Sequence, residues 1–209
     1  MSLDRQNHWD TVYSTKSNDG VSWFQAKPEK SLEIIHQFMP TSRQPNIIDV
    51  GGGTSTLVDF LLADGYKSLS ILDIAESALD TTRQRLGLSN CQVSWLVADI
   101  TKTELPTNTY DLWHDRAVFH FLTAPADRAK YVQLVKGSLK SGGILVMSTF
   151  APDGTEKCSN LHINRYDCDD ILAILGNNFK LIYSDKDLHQ TPFQTQQSFN
   201  YCVFKKLLS

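Results

Sequence analysis

The chain has 209 residues, of which 41% are apolar and 21% are charged, and its formal net charge is −3. These values are typical of one globular domain with a buried core, and they exclude an intrinsically disordered chain. Because no block of like charges exists, we expect no nucleic-acid partner. No apolar run is long enough to span a membrane, and the polar N-terminus does not resemble a secretory signal. We therefore expect a cytoplasmic protein without a membrane partner; its oligomeric state is left open.

The four cysteines are widely spaced and form no CxxC pair. In a reducing cytosol this pattern predicts free thiols, and it favours neither a zinc site nor any other metal site. The cysteines are Cys91, Cys158, Cys168 and Cys202.

The N-terminal residues have apolar side chains at helical spacing. Residues 4–16 place Trp9, Val12 and Tyr13 on one helical face. After a turn at 18–20, Pro28 is well placed to begin a second helix, which must end before Pro40.

Strand and helix signals then alternate. Apolar runs predict strands at Asn46–Val50, Ser68–Asp73, 92–98, 110–113 and 144–150, with helices over 54–64, Glu76–Leu86 and 126–139 between them. Repeated units of this kind predict a parallel sheet with helices on both faces.

The C-terminal part has a different pattern. A helix over 167–175 is followed by strands at 179–185 and 198–205, and no helix joins these two strands. We therefore expect an antiparallel β-hairpin at the edge of the sheet. The predicted fold is α/β, a doubly wound and mostly parallel seven-stranded sheet, in a single domain over 1–209.

The glycine run after the first strand is the most informative segment. Gly51, Gly52 and Gly53 allow a sharp turn and the close approach of a ligand, and a helix begins beyond them. The dinucleotide fingerprint requires a third glycine or alanine where this chain has Thr56, which disfavours a nicotinamide enzyme. Asp49, two residues before the loop, suits a positively charged ligand group and would repel a pyrophosphate.

Two further acids end the next two predicted strands. Asp73 suits the hydroxyls of a ribose, and Asp99 suits an adenine amino group, with Ile100 on the ring. Ile74, which follows Asp73, is included in the same site. A single aspartate at a strand end is more often a helix cap or a solvated residue. The three acids together with the glycines favour one ligand crevice at the carboxyl ends of the strands.

These motifs resemble those of class I, seven-stranded S-adenosylmethionine-dependent methyltransferases. The resemblance covers about residues 28–206 and rests on DVGGGT, LDIAESAL, VADI, YDLWHDRAVFHFL and LKSGGILVMSTF. The N-terminal HWDTVYSTKSNDGVSWF is similar to a subset with an HWxxxY segment, some of whose members resemble protein-lysine methyltransferases. One departure is Gly52, where cysteine is common; since the position needs a small residue, we expect little effect.

The resemblance implies S-adenosylmethionine as the cofactor and S-adenosylhomocysteine as its product. It places the cofactor across Asp49–Gly53, Asp73 and Asp99. Residues 1–27 would form a lid, in which Trp9 and Tyr13 cover the methionine end or simply pack on the core.

Three polar residues follow the fourth strand, where the transferring methyl group is expected. Asp115 and Arg116 would orient the methionine moiety or the substrate, and Arg116 would either pair with Asp115 or bind a substrate carboxylate. His120 is a candidate base that competes with a packed, non-catalytic role.

The predicted function is methyl transfer to an unidentified acceptor. The compact chain has no added recognition domain, which favours a small molecule over a protein lysine as the acceptor. A nicotinamide-dependent oxidoreductase is disfavoured by Thr56 and Asp49. A catalytically silent adenosyl-binding protein is disfavoured because the cofactor motif is intact.

Overall fold

The computed structural model describes residues 5–208. The strands, in chain order, are β1 (Asn46–Val50), β2 (Ser68–Asp73), β3 (Val93–Val97), β4 (Tyr110–Arg116), β5 (Leu139–Phe150), β6 (Lys157–Cys158), β7 (Leu161–His162), β8 (Phe179–Gln190) and β9 (Gln196–Lys206). The helices are α1 (Arg5–Thr15), α2 (Glu29–Phe38), α3 (Leu57–Ala63), α4 (Glu76–Leu86), α5 (Pro125–Ser138) and α6 (Cys168–Leu175). None of the helices between residues 5 and 208 is long and apolar enough to cross a bilayer.

Seven strands form the central sheet in the order β3-β2-β1-β4-β5-β9-β8. Strands β1 to β5 are parallel, and β9 runs antiparallel to both β5 and β8. This arrangement confirms the predicted fold, including the antiparallel pair at the edge. The strand order reverses between β1 and β4, which is where sheets of this kind bind ligands.

Helices cover both faces of the sheet. On one face, apolar residues of α2, α3 and α4 pack against β1 and β4, with Ile35, Leu61 and Leu79 fully or almost fully buried. On the other face, α5 and α6 contribute Tyr131 and Ile171 to a second cluster. Both clusters hold the carboxyl ends of the strands in fixed positions relative to one another.

Several element boundaries differ from the sequence prediction. Helix α3 begins at Leu57 instead of residue 54, because positive φ angles of 70° at Gly51 and 39° at Gly53 keep the chain in a turn. Strand β4 continues to Arg116, beyond its predicted end at 113. The loop after β5 contains the short β6–β7 hairpin, which the sequence did not predict.

Helix α1 lies across the carboxyl edge of the sheet. Its Asp10 accepts a hydrogen bond of 2.9 Å from Ser77 of α4, and its Arg5 forms an ion pair with Asp127 of α5. The predicted helix began at residue 4, which lies outside the described residues. Because α1 is held on two sides, its inward face is fixed above the strand ends.

The prediction of free thiols is wrong for two of the four cysteines. Cys168, at the start of α6, and Cys202, in the middle of β9, form a disulfide with a Cα–Cα distance of 5.5 Å. Cys91 and Cys158 are free. The sequence spacing of 34 residues gave no signal of the pairing, because the contact arises only when α6 packs against β9.

We expect reduction of this disulfide to destabilise the protein. Closing a loop of this length typically contributes about 2–4 kcal/mol to the free energy of unfolding. Urea denaturation with and without a reductant measures the difference, and Cys91→Ser, at an exposed free thiol, is the control that should behave as the wild type. Equal unfolding curves in both conditions would contradict a stabilising cross-link.

Candidate active site

The site is a crevice above the carboxyl ends of β1 to β4. One cavity is lined by the strand-end residues Gly51, Asp73 and Asp99, and an adjoining cavity is lined by Asp49 and Gly52. Ile74 and Ile100 also line the first cavity, as predicted from sequence. The topology therefore brings together the glycine loop and all three predicted acids.

The glycine loop approaches its neighbours too closely for side chains. Gly51 has a φ of 70°, and a Cβ added there would overlap Cγ2 of Val118. At Gly52 a Cβ would lie 2.6 Å from Cγ2 of Ile71 and 2.7 Å from Oδ2 of Asp49. These short distances show that in this chain the position requires a residue without a side chain.

We expect Gly52→Ala to weaken cofactor binding by displacing the Asp49 carboxylate. The other close neighbour is the methyl group of Ile71, which is buried and has little room to move. Calorimetric titration with S-adenosylhomocysteine measures the effect, with Gly137→Ala as a control because its added Cβ meets no atom within 4 Å. Wild-type affinity in Gly52→Ala would show that Asp49 tolerates the shift.

A buried hydrogen-bond chain holds Asp49 in place. Nδ1 of His114 lies 2.7 Å from Oδ1 of Asp49, and Nε2 lies 2.9 Å from Oγ of Ser31, which is 3.2 Å from the hydroxyl of Tyr201. One arrangement satisfies all four groups: His114 donates from Nδ1 to Asp49, Ser31 donates to Nε2, and Tyr201 donates to Ser31. These hydrogen bonds use Oδ1 of Asp49 and leave Oδ2 available to a cationic ligand group.

Asp73 is almost fully buried at the end of β2. Its Oδ1 accepts a hydrogen bond of 2.9 Å from the backbone N–H of Ala75. Burial, assisted by the nearby charge of Asp49, raises the pKa of Asp73 to about 7. Asp73 is therefore partly protonated at neutral pH and would gain from donors such as ribose hydroxyls.

Asp99, just beyond the end of β3, is held differently. Its Oδ1 accepts hydrogen bonds from the backbone N–H and the hydroxyl of Thr101, at 2.9 and 2.7 Å. Burial raises its pKa, but these bonds and the ion pair with Lys102 outweigh burial and hold the pKa below its usual value. Asp99 is therefore a fixed, ionised acceptor at the side of the cavity.

Four aromatic rings form one wall of the first cavity, and Tyr13 brings this wall close to Gly53 and Asp73. The ring of Trp9 lies 5.0 Å from Phe121 and 5.8 Å from Trp23, and Tyr13 lies 6.3 Å from Trp23. All four side chains line the first cavity. The N-terminal segment thus contributes three of the four rings of this aromatic wall.

The residues at the end of β4 and just after it divide between the cavity and the protein interior. Arg116, Ala117 and Val118 line the cavity, and Ala117 has the uncommon positive φ of 73°. Asp115 is fully buried instead: it accepts hydrogen bonds from the backbone N–H groups of Val118 and Phe119 and from the hydroxyl of Tyr131.

Neither predicted catalytic residue lines the two cavities. Asp115 acts as a backbone acceptor that shapes the turn after β4. His120 is fully buried and stacks on Phe150, with ring centroids 5.0 Å apart. Burial, with a smaller effect from the charge of Arg116, lowers the pKa of His120 to about 3. The structure therefore places both residues in the protein interior, outside the two cavities.

Several residues of the site have no signal in the sequence. His114 and Ser31 were not predicted to contact Asp49, and Phe121 was not assigned to the aromatic wall. Cys158 reaches the cavity from the β6–β7 hairpin. Burial raises the pKa of its thiol to about 11, so Cys158 is protonated at neutral pH.

Comparison with known proteins agrees with this geometry. Residues 47–143 match a family model described as a methyltransferase domain. The malonyl-[acyl-carrier protein] O-methyltransferase of Halalkalibacterium halodurans is 31% identical over 142 residues, which are 65% of this chain and 51% of that protein. The eEF1A lysine and N-terminal methyltransferase of Mus musculus is 20% identical over 139 residues, which are 66% of this chain and 20% of that protein.

The matched part of this chain thus spans about half of the Halalkalibacterium halodurans protein and about a fifth of the Mus musculus protein. Among solved structures, the N-methyltransferase NodS from Bradyrhizobium japonicum in complex with S-adenosyl-L-homocysteine is similar over 97% of this chain and 99% of that one. Its TM-score is 0.68 at 14% sequence identity, which is a likeness of fold. Residues 47–143 thus match a methyltransferase domain in sequence, and the whole sheet has the fold of a solved methyltransferase.

Proposed function

We propose that this protein transfers a methyl group from S-adenosylmethionine to a small-molecule acceptor. The observation that carries the proposal is the convergence of Asp49, Asp73 and Asp99 on one crevice beside a glycine loop whose geometry excludes side chains. A sulfonium cofactor would supply an electrophilic methyl group there.

Each part of the crevice fits one part of the cofactor. The Asp49 carboxylate, fixed by His114, suits the methionine ammonium group, and backbone groups of Gly51–Gly53 would approach the same tail. Asp73 suits the ribose hydroxyls. Asp99 would accept a hydrogen bond from the adenine amino group, with the ring between Ile74 and Ile100.

The aromatic wall would act on the charged sulfur. A ring face within about 6 Å of a cation stabilises it by about 0.5–2 kcal/mol. Trp9 and Tyr13, on α1, face the cavity from above and would hold the methyl end in position. This role supports the lid assignment of residues 1–27, of which residues 1–4 lie outside the described part.

Alignment is the main catalytic contribution that these residues can make. No histidine in the described part of the chain lines the aromatic end of the cavity, and Cys158 holds its proton. Methyl transfer is an in-line displacement, so positioning of the nucleophile can supply much of the acceleration. The acceptor would therefore enter in a form that needs no strong protein base.

A second candidate acceptor is a protein lysine. It is favoured by the eEF1A lysine and N-terminal methyltransferase among the relatives. The aromatic wall over the cavity favours a small molecule, because a lysine side chain would need an open groove in place of the contacts between Trp9, Trp23 and Phe121.

Two measurements test the proposal. Calorimetry should detect binding of S-adenosylhomocysteine and no binding of nicotinamide dinucleotides; the reverse result would identify an oxidoreductase. Labelled S-adenosylmethionine incubated with cell lysate should then place methyl label in the small-molecule fraction. Label in protein would favour a lysine acceptor, and tight binding without transfer would favour a silent adenosyl-binding protein.

A further inference from the structure

One edge of the Arg116 guanidinium has no partner. Nη1 donates a hydrogen bond of 3.0 Å to the backbone carbonyl of Trp23. Nε and Nη2 are both buried and have no hydrogen-bond partner in the described part of the chain. A buried cationic edge without a partner is costly, so a group that completes it would bind strongly.

The unpartnered atoms form a defined recognition element. Nε–H and one N–H of Nη2 point in the same direction along one edge of the planar guanidinium. This pair matches the two oxygens of a carboxylate, which accepts both hydrogen bonds at once. Nη1, on the other side, is occupied by Trp23, so the side chain is already oriented.

The Arg116 side chain lines both cavities and also contacts a ring on the far side of β5. Its Cζ is 4.7 Å from the ring centroid of Phe199, which is on β9. In the sheet order, β9 is separated from β4 by β5, whereas β1 with Asp49 is on the other side of β4. Arg116 thus borders the cavity that contains Asp49 and also contacts Phe199 on the β9 side.

The charge of Arg116 shifts the pKa values of three neighbouring side chains. After burial, that charge is the next largest cause lowering the pKa values of His120 and His189, and it opposes the effect of burial on Cys158. No carboxylate forms an ion pair with Arg116 in the described residues. The charge is therefore not neutralised within this part of the molecule.

We propose that the methyl acceptor carries a carboxylate, which binds the Nε–Nη2 edge of Arg116 while its apolar body lies among Trp9, Trp23 and Phe121. This inference rests on the proposed function, because it assigns the substrate class of the same site. Since Nε and Nη2 are shielded from water, the Trp23 segment moves when the acceptor enters. The competing source of a carboxylate is the methionine tail of the cofactor itself.

The test compares carboxylates with uncharged analogues of equal shape. The protein is saturated with S-adenosylhomocysteine and titrated calorimetrically with indole-3-carboxylate, indole-3-carboxamide, benzoate and benzamide. The variants are Arg116→Met, which removes the charge, and Arg116→Lys, which keeps the charge but loses the paired N–H donors of the guanidinium. Arg43→Met, at an exposed arginine outside both cavities, is the matched control.

We expect the wild type and Arg43→Met to bind the carboxylates at least about tenfold more tightly than the amides. Arg116→Met should lose this preference and Arg116→Lys should retain only part of it, while any loss of affinity for S-adenosylhomocysteine stays below about tenfold in every variant.

Two outcomes would overturn the inference. One is equal binding of carboxylates and amides, or no binding of either, by the wild-type complex. The second is a loss of affinity of about tenfold or more for S-adenosylhomocysteine in Arg116→Met, because the carboxylate at Arg116 would then belong to the cofactor. Failure of the wild type to bind S-adenosylhomocysteine is a separate result, which would reject the proposed function itself.

Discussion

Gly51→Ala is expected to abolish detectable binding of S-adenosylhomocysteine. The residue has a φ of 70°, and its Cβ would overlap Cγ2 of Val118, which lines the same cavity. The backbone N–H of Gly51 also donates a hydrogen bond of 2.7 Å to Leu72 at the end of β2. Relief of the overlap would move either the loop or Val118, and both movements change the surface that the cofactor needs. Calorimetric titration measures the loss.

Gly142→Ala separates this steric effect from backbone strain. Gly142 has a similar φ of 76°, but a Cβ there would meet no atom within 4 Å. We expect this control to lose about 1–2 kcal/mol of stability from the left-handed conformation and to bind the cofactor normally. Near-normal affinity in folded Gly51→Ala would mean that the cofactor does not lie on this loop.

The sequence predicted those site residues whose positions follow from strand ends alone. Asp49, Asp73 and Asp99 each end or nearly end a parallel strand, and parallel strands place their carboxyl ends at one edge. The same signal failed at Asp115. Its side chain turns to the opposite face of β4 from Arg116, where backbone N–H groups and Tyr131 satisfy it. Only the pleat of the folded strand distinguishes these two outcomes.

Most of the site residues and contacts that the sequence did not predict arise between segments that are distant in the chain. Asp49 and His114 are direct partners in the β1–β4 register, so their contact became predictable only once the order of the strands was known. Ser31 reaches His114 from α2 across 83 residues of sequence. The disulfide between Cys168 and Cys202 likewise depends on helix packing, whereas composition alone favoured free thiols.

Binding of S-adenosylhomocysteine should strengthen as the pH rises from about 6 to about 8. In the free protein, burial and the charge of Asp49 raise the pKa of Asp73 to about 7. Ribose hydroxyls donate to the ionised carboxylate, so the bound state favours loss of the proton and its pKa is lower. The protonated protein must release that proton to bind, and the linkage relation then predicts affinity about tenfold weaker at pH 6 than at pH 8.

Asp73→Asn removes the titrating group with little change in shape. We expect it to bind S-adenosylhomocysteine about 1–3 kcal/mol more weakly than the wild type at pH 8, because the charged acceptor is lost. Its affinity should also be nearly constant between pH 6 and 8. The decisive comparison is the slope of the logarithm of the dissociation constant against pH in the two proteins. Parallel profiles would assign the proton to another group, and an unchanged dissociation constant at pH 8 would remove Asp73 from the ribose site. A steep wild-type profile with a flat variant profile would place the ribose hydroxyls on this carboxylate.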